Sequence, residues 1–275
     1  MNITVKQAIE KPTTKQFSNA AAQQLLVPEQ AERAAAEYAV CAKDEFVAVV
    51  MHELRNPTNA ILGWARILRL ANGNATQIQY AIDVIERNAR SQSRLINDLL
   101  DLSRGAEGKL HLEMEWIDVA SVIKTALDVI RPEAEAKMIE LRATYDQQAG
   151  AVYADPHRLE QVIWNLLSNA VKFTPQGGCI EVSLECVEEG IRITVADNGE
   201  GISTEFLPYI FDRFHQAPAA RKREYGGLGL GLCLVRSLVE AQGGSVRAES
   251  QGAGCGATFT IHLPLRRGED GARGH

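Results

Sequence analysis

The segment Asp44–Leu70 constrains the fold of this chain most strongly, because its apolar residues recur at the spacing of one helix face. Successive members of this face are three or four positions apart: Phe46, Val50, Leu54, Pro57, Ile61, Trp64 and Leu68. This period predicts an amphipathic helix with one buried side. His52 lies beside that side, and Asn56 follows it by one turn. Pro57 removes a backbone donor, so we expect a bend in the helix there.

His52 has several interpretations when this segment is taken alone. A lone histidine on an amphipathic helix is most often an ordinary surface side chain. A zinc-protease motif needs a second histidine four positions further on, in the pattern H-E-x-x-H. That position holds Asn56, which excludes the metal interpretation. The chemistry of His52 therefore depends on the rest of the chain.

A second amphipathic segment follows residues 72–76, whose glycine and asparagines suit a tight turn. Its seam alternates steps of four and three, with one polar exception: Ile78, Ile82, Ile85, Ala89, Gln92, Ile96 and Leu99. Two antiparallel helices cannot enclose a core by themselves. Because the sequence offers no third heptad helix for an intramolecular bundle, we predict that residues 30–104 form a homodimeric four-helix bundle.

The whole chain is predicted to belong to the α+β class. Residues 1–29 are predicted to be a flexible leader, residues 105–118 a linker and residues 266–275 a disordered tail. Residues 119–265 combine helices with strands that do not alternate strictly, which favours an α/β sandwich with a mixed sheet. The predicted helices cover 119–136, 156–173 and 229–242, and the predicted strands cover 139–145, 151–154, 179–187, 191–196, 245–250 and 258–263.

The charge and hydropathy of the chain exclude several classes of protein. Its net charge is −6, whereas nucleic-acid-binding proteins usually present a basic face. No apolar run reaches the roughly 18–20 residues of a membrane span, and the polar N-terminal stretch does not resemble a signal peptide. The five cysteines are scattered, which is typical of reduced thiols, so we predict a cytoplasmic protein.

Three polar side chains share one face of the helix predicted for residues 156–173. Asn165, Asn169 and Lys172 lie at positions i, i+4 and i+7. An ordinary solvated face would also be polar, but asparagine has modest helix propensity and is a poor choice for one. Amide oxygens suit Mg²⁺, which keeps several waters, and an ammonium group suits phosphate oxygens. The stripe therefore predicts a site for a cation and phosphates.

Two glycine-rich segments accompany this stripe. Asp197–Ile202 follows a predicted strand; an Asn–Gly hairpin turn would explain its glycines, but the residues after it do not resemble a returning strand. Glycines here would let a ligand approach the backbone, and the Asp197 carboxylate could accept a hydrogen bond from a base amine. Gly226–Leu232 precedes a helix, whose N-terminus favours phosphate. A basic loop rather than a strand precedes this segment, which disfavours a dinucleotide-binding fold.

A series of motifs, in one order, resembles those of bacterial two-component sensor histidine kinases. His52–Pro57 is similar to the phospho-acceptor box of that family, and Asn165–Thr174 is similar to its N box. The other matches are to its glycine boxes and its phenylalanine box: Asp197–Ile202, Ile210–Gln216, Gly226–Leu232 and Gly254–Phe259. The resemblance covers about residues 35–265. It implies a dimerisation and phosphotransfer hairpin followed by an ATP-binding domain of the Bergerat type, which is shared with gyrase and Hsp90.

The resemblance implies roles for three residues of the hairpin. His52 would be the phospho-acceptor, Glu53 would orient and deprotonate its imidazole, and Asn56 would be tied to phosphatase activity. Met51 and Thr58 stand where the family often has serine and leucine. Neither departure removes a catalytic group.

The resemblance also implies a binding site for ATP and Mg²⁺. Asn165 and Asn169 would bind the Mg²⁺–triphosphate and ligate the metal, Lys172 would bind phosphates, and Asp197 would bind the adenine amine. The residues that would shape the pocket and its lid, or lie near the adenine, are Gly199, Gly201, Gly227, Gly229, Gly231 and Thr258.

The implied activity is that of an ATP-dependent protein histidine kinase, which phosphorylates His52 and passes the phosphoryl group to an aspartate of a response regulator. The implied partners are a second copy of the chain, a response-regulator receiver domain and a separate sensor protein, unless the chain is a fragment of a longer one. The alternatives are a phosphatase-dominant protein and a non-catalytic ATP-binding scaffold. A related chaperone or topoisomerase ATPase would have a catalytic glutamate in place of Asn165 and no acceptor hairpin.

Overall fold

The computed structural model of the protein describes residues 50–70, 74–106, 109–146, 149–212 and 229–265. The chain divides into two compact units, residues 1–52 and 53–275, and only residues 50–52 of the first are described. The predicted leader, residues 30–49 of the predicted bundle, Gly227 and the predicted tail lie outside the described residues. Within those described ranges, no helix is long and apolar enough to cross a membrane.

Two helices form a hairpin: α1, of which residues 50–70 are described, and α2, which spans Ala75–Ala106. Trp64 and Tyr80 pack edge to face across it, with ring centroids 5.1 Å apart. Gln92, the polar exception in the predicted seam, donates from Nε2 to the Thr58 hydroxyl oxygen at 3.1 Å. The Thr58 hydroxyl in turn donates to the Leu54 carbonyl at 2.7 Å. The hairpin is confirmed, and its polar residue is accommodated by a hydrogen bond between the helices.

The remainder is the predicted α/β sandwich. Its helices are α3 (Val119–Ala136), α4 (Pro156–Phe173) and α5 (Gly231–Ala241), with a short 3₁₀ helix at Leu207–Tyr209. Its strands are β1 (Glu115–Ile117), β2 (Glu140–Tyr145), β3 (Val152–Ala154), β4 (Cys179–Val187), β5 (Gly190–Asp197), β6 (Ser245–Glu249) and β7 (Ala257–Pro264). Five strands form one sheet in the order β2–β4–β5–β7–β6, in which β2 is parallel to β4 and the other pairs are antiparallel. Leu166, Ile193 and Leu234 are fully buried in the core.

Two aspartates determine where α3 and α4 begin. The Asp118 carboxylate accepts a hydrogen bond from the Ala120 N–H at 3.1 Å, and the Asp155 carboxylate accepts one from the Arg158 N–H at 3.0 Å. Pro156 occupies the first position of α4, where a missing N–H has no consequence. Because these caps satisfy donors that a first turn leaves unpaired, both helices begin where the sequence predicted.

The segment 105–118, predicted to be a linker, contains a strand that the sequence did not predict. Strand β1 pairs antiparallel with β3, and Trp116 lies opposite Tyr153 with ring centroids 5.6 Å apart. Helix α2 also continues to Ala106. A strand of three residues is too short to show an alternating pattern, and its stability depends on a partner far along the chain. The proposed domain boundaries themselves remain predictions.

Candidate functional site

Helix α1 carries the three polar residues that the sequence selected in the hairpin. His52 and Asn56 are exposed, and Glu53 is half-buried. Pro57, the next residue after Asn56, is buried. The helix therefore presents an accessible imidazole while its apolar side packs inward, as the spacing of its apolar residues predicted.

Asn165 lies in the middle of α4 with its side chain buried. Its Nδ2 donates to the backbone carbonyl of Gln161 at 3.0 Å, which fixes the orientation of the amide. A Cβ atom on Gly231, the first residue of α5, would lie 3.2 Å from Asn165 Oδ1, so this oxygen faces the start of α5. An amide oxygen beside a helix N-terminus suits a hydrated cation and the phosphates it accompanies.

Asn169 and Lys172 continue the polar stripe towards the C-terminal end of α4, and both are half-buried. Burial lowers the pKa of Lys172 below its ordinary value of 10.5, while the charge of the Glu53 carboxylate acts in the opposite direction. The Lys172 Nζ also lies 5.0 Å from the centre of the Phe173 ring. A partly desolvated ammonium is stabilised by an anionic ligand, so this end of α4 favours phosphate.

Asp197 is the last residue of β5 and supplies the carboxylate of the site. Its Oδ1 accepts a hydrogen bond from the Gly199 N–H at 2.9 Å. Burial raises the pKa of this carboxyl above its ordinary value of 3.8, and hydrogen bonds from the Gly199 and Ala257 backbones act against that rise. On the neighbouring strand Ala257 lies opposite Asp197, and Thr258 follows it. Asp197 and Thr258 therefore lie at the same end of the sheet.

The glycines of the site are required by contacts inside the protein. A Cβ atom on Gly199 would lie 2.5 Å from the Phe173 carbonyl oxygen. Gly201 has a φ of 67°, and a Cβ atom there would overlap the Gly252 carbonyl. Gly229 also has a positive φ, of 66°. The sequence interpretation favoured the approach of a ligand over a hairpin turn; the structure adds close packing of the loop on its neighbours as a further reason for glycine at positions 199 and 201.

Thr174 is a further residue of this region that the sequence did not select. Its hydroxyl is buried and has no hydrogen-bond partner among the residues that the structure describes. A Cβ atom on Gly178 would overlap the Thr174 methyl group and lie 2.8 Å from Asn198 Oδ1. The same Asn198 oxygen accepts a hydrogen bond from the Cys179 N–H at 2.8 Å. The turn after α4 therefore packs against the loop after β5. The sequence signal that could have identified Thr174 was its position at the end of the N box.

A polar cluster that the sequence did not predict joins α2 to α4; we call Asp98, Asp101, Arg158 and Gln161 the α2–α4 clasp. Arg158 Nη1 lies 2.6 Å from Asp101 Oδ2, and Asp101 is only 5% exposed. Gln161 Nε2 donates to Asp98 Oδ1 at 3.2 Å, and burial raises the pKa of Asp98. The clasp borders a cleft of about 420 Å³ that also includes Asn165. Local patterns do not reveal such a cluster, because its halves are far apart in the chain.

Two family matches cover the two parts of the structure. Residues 42–108 match the "His Kinase A (phospho-acceptor) domain", and residues 154–267 match the "Histidine kinase-, DNA gyrase B-, and HSP90-like ATPase". The first range contains His52, and the second contains Asn165 and Asp197. The order of the two matches is the order that the motifs predicted.

The curated relatives are much longer proteins. The hybrid signal transduction histidine kinase D of Dictyostelium discoideum is 34% identical over 271 residues, which cover 82% of this chain and 18% of the relative. The circadian input-output histidine kinase CikA of Synechococcus elongatus is 38% identical over 238 residues, which cover 84% of this chain and 31% of the relative. The chain thus spans less than a third of either relative.

Two solved structures have the same fold. Full-length ShkA in complex with AMPPNP is 29% identical, with a TM-score of 0.60 over 80% of this chain and 45% of that one. The histidine kinase ThkA in complex with the response regulator TrrA is 24% identical, with a TM-score of 0.57 over 81% of this chain and 61% of that one. A phospho-acceptor hairpin followed by an ATPase-type sandwich is the domain arrangement of sensor histidine kinases. With these matches, the chain is the catalytic core of a two-component sensor histidine kinase.

Proposed function

We propose that this chain is an ATP-dependent protein histidine kinase, which phosphorylates its own His52 and passes the phosphoryl group to an aspartate of a response regulator. One observation carries the proposal: an exposed histidine in a phospho-acceptor hairpin shares the chain with an ATPase-type domain. The longer relatives named as histidine kinases support the same activity.

We assign ATP and Mg²⁺ to the site around α4. The amide oxygens of Asn165 and Asn169 would hold the cation, the Lys172 ammonium would bind phosphates, and the Asp197 carboxylate would accept from the exocyclic amine of adenine. The buried amide of Asn165 and the desolvated ammonium of Lys172 fit such a ligand. The AMPPNP in the ShkA structure supports the class of ligand. Bound Mg²⁺ would neutralise charge on the phosphates.

In this mechanism an imidazole nitrogen of His52 forms a P–N bond with the γ-phosphorus, the bond from that phosphorus to the bridging oxygen breaks, and ADP leaves. A neutral imidazole carries a nucleophilic lone pair on one ring nitrogen. The Glu53 carboxylate stabilises the positive charge that develops on the ring and takes the proton from the other ring nitrogen, which leaves a neutral phosphohistidine. Asn56, one turn further on, is assigned to hydrolysis of the phosphorylated partner.

The proposed partners follow from the same assignment. We propose a homodimer through α1 and α2, a response-regulator receiver domain as phosphoryl acceptor, and input from a sensor outside this chain. The structure of ThkA with TrrA supports a partner of this class. We also propose a cytoplasmic location, which is supported by the thiols of Cys179, Cys186 and Cys255, none of which forms a disulfide within the described parts of the chain.

The test is incubation of the protein with Mg²⁺ and γ-labelled ATP. We expect a label that is labile in acid and stable in base, and we expect His52→Ala to abolish it. His111→Ala is the matched control, because His111 is also exposed but lies outside the hairpin; this variant should be labelled normally.

A label that persists in His52→Ala would remove His52 from its assigned role. Binding of ATP without any label in the wild type would favour the scaffold or the phosphatase alternative. Label that a purified receiver domain then removes, with an aspartyl phosphate as the product, would support the second half of the pathway.

A further inference from the structure

Lys137 lies directly after α3, and its side chain reaches the C-terminal end of the neighbouring helix α4. Its Nζ donates to the backbone carbonyls of Val171 at 2.7 Å, Lys172 at 3.1 Å and Thr174 at 3.4 Å. All three carbonyls belong to the last turn of α4 or to its C-cap. One ammonium group therefore caps the C-terminus of α4, the helix that carries the polar stripe.

The last carbonyls of a helix have no partners inside it and carry its partial negative charge. A lysine ammonium has three donors and a full positive charge, so it satisfies both needs at once. Such charge-assisted hydrogen bonds are stronger than neutral ones. The end of α4 is thus held in place by the residue that follows α3, in addition to its own packing.

The backbone around Lys137 has two features that hold this residue beside α4. Its carbonyl accepts a hydrogen bond from the Gly177 N–H at 3.0 Å, so the main chain also holds the turn after α4. Met138, the next residue, has a φ of 53° and is the one non-glycine residue with positive φ in the described parts of the chain. This conformation is unfavourable for a side chain with a Cβ atom, and it persists where surrounding contacts require it.

The turn that Lys137 holds is in direct contact with the loop after β5. The Phe173 carbonyl, between two of the carbonyls that Lys137 binds, accepts a hydrogen bond from the Glu200 N–H at 3.1 Å. Gly199 packs closely on the same carbonyl. A shift of the α4 terminus would therefore move Lys172 and the loop that begins at Asp197 together.

We infer that Lys137 is a positioning residue for the nucleotide site, which fixes the C-terminal turn of α4 and through it Lys172 and the 197–201 loop. This inference rests on the proposed function, because it deepens the same ATP site. It does not require Lys137 to touch the nucleotide. Small displacements of binding groups are enough to change affinity strongly.

The experiment measures binding of Mg²⁺–ATP by calorimetry to the wild type, Lys137→Met, Lys137→Gln and Lys137→Arg. We expect Lys137→Met to raise the Kd about tenfold, Lys137→Gln to raise it less, and Lys137→Arg to restore most of the affinity. Lys124→Met is the matched control on the same helix, since Lys124 lies over the Tyr145 ring and makes no contact with α4 among the described hydrogen bonds. Hydrogen exchange at the Glu200 amide should accelerate in Lys137→Met and stay unchanged in Lys124→Met.

The outcomes separate this inference from the function on which it rests. Absence of ATP binding by the wild type would overturn the proposed function. Wild-type binding with equal affinity in a folded Lys137→Met would overturn the positioning role alone. If Lys137→Met does not fold, the order of affinities among wild type, arginine and glutamine decides, and an arginine variant as weak as the glutamine variant would contradict the inference.

Discussion

Asp197 places a charge where folding makes that charge less favourable. Burial raises the pKa of its carboxyl above 3.8 in the folded chain, so the native state binds this proton more tightly than the unfolded state. The contribution of Asp197 to the free energy of unfolding therefore falls as the pH rises from its unfolded-state pKa through its raised folded-state pKa. We expect Asp197→Asn to gain stability relative to the wild type as the pH rises above the ordinary carboxyl pKa of about 3.9, and to lose affinity for ATP. Urea unfolding at several pH values and calorimetry measure the two effects.

The control for this prediction is Asp128→Asn, because Asp128 is exposed on α3. Its stability relative to the wild type should not change in the same direction with pH. If the difference in free energy of unfolding between the wild type and Asp197→Asn does not change with pH, the burial of Asp197 has no consequence for stability. Unchanged ATP affinity would remove Asp197 from the adenine site.

Site residues could be predicted where a local pattern marks them. Asn165, Asn169 and Lys172 share a helical spacing, and Asp197 follows a strand in a glycine-rich motif. Lys137 could not be found in this way, since its significance comes from carbonyls on another helix. A contact between distant segments leaves no signature in the residues that flank either end.

The α2–α4 clasp joins two helices through a buried ion pair between Arg158 and Asp101. Arg158→Met would leave the buried Asp101 carboxylate without its ion-pair partner. The loss should be about 3 kcal/mol of stability, together with faster hydrogen exchange in residues 98–106. Urea unfolding and exchange measured by mass spectrometry test both.

A matched control for the clasp is an exposed ion pair on α2, the helix that carries Asp101. Glu86 and Arg90 form an ion pair on α2 in which both side chains are more than half exposed, so Glu86→Gln should cost less than about 0.5 kcal/mol. An equal effect of Arg158→Met and Glu86→Gln would show that burial does not strengthen the clasp.

Whole elements could be predicted to the residue where their ends carry local signals. Helices α3 and α4 begin after capping aspartates, and both have the predicted bounds. Helix α5 was predicted from residue 229 but begins at Gly231. Gly229 has a φ of 66°, which a right-handed helix does not allow. Strand β1 was missed because it is short and its pairing partner β3 lies far along the chain.

At the scale of the whole molecule, the hairpin leaves part of its predicted seam uncovered. Ile82 and Ile96 are each 44% exposed in the single chain, although both are seam positions of α2. Scattered exposed apolar side chains are normal on a protein surface. Exposure that repeats at heptad positions is instead typical of a helix whose partner is missing, and a four-helix bundle would supply that partner from a second copy.

We therefore expect Ile96→Asp to convert a dimer into a monomer, because a carboxylate would be buried without a partner in the bundle. Sedimentation equilibrium over a range of concentrations measures the change. Val129→Asp is the control: Val129 is 56% exposed on α3, so its substitution should leave the dimer intact. Calorimetry should show unchanged ATP affinity in both variants, since neither residue belongs to the site around α4. A wild type that is monomeric, or an Ile96→Asp variant that remains dimeric at low concentration, would contradict a bundle built on this seam.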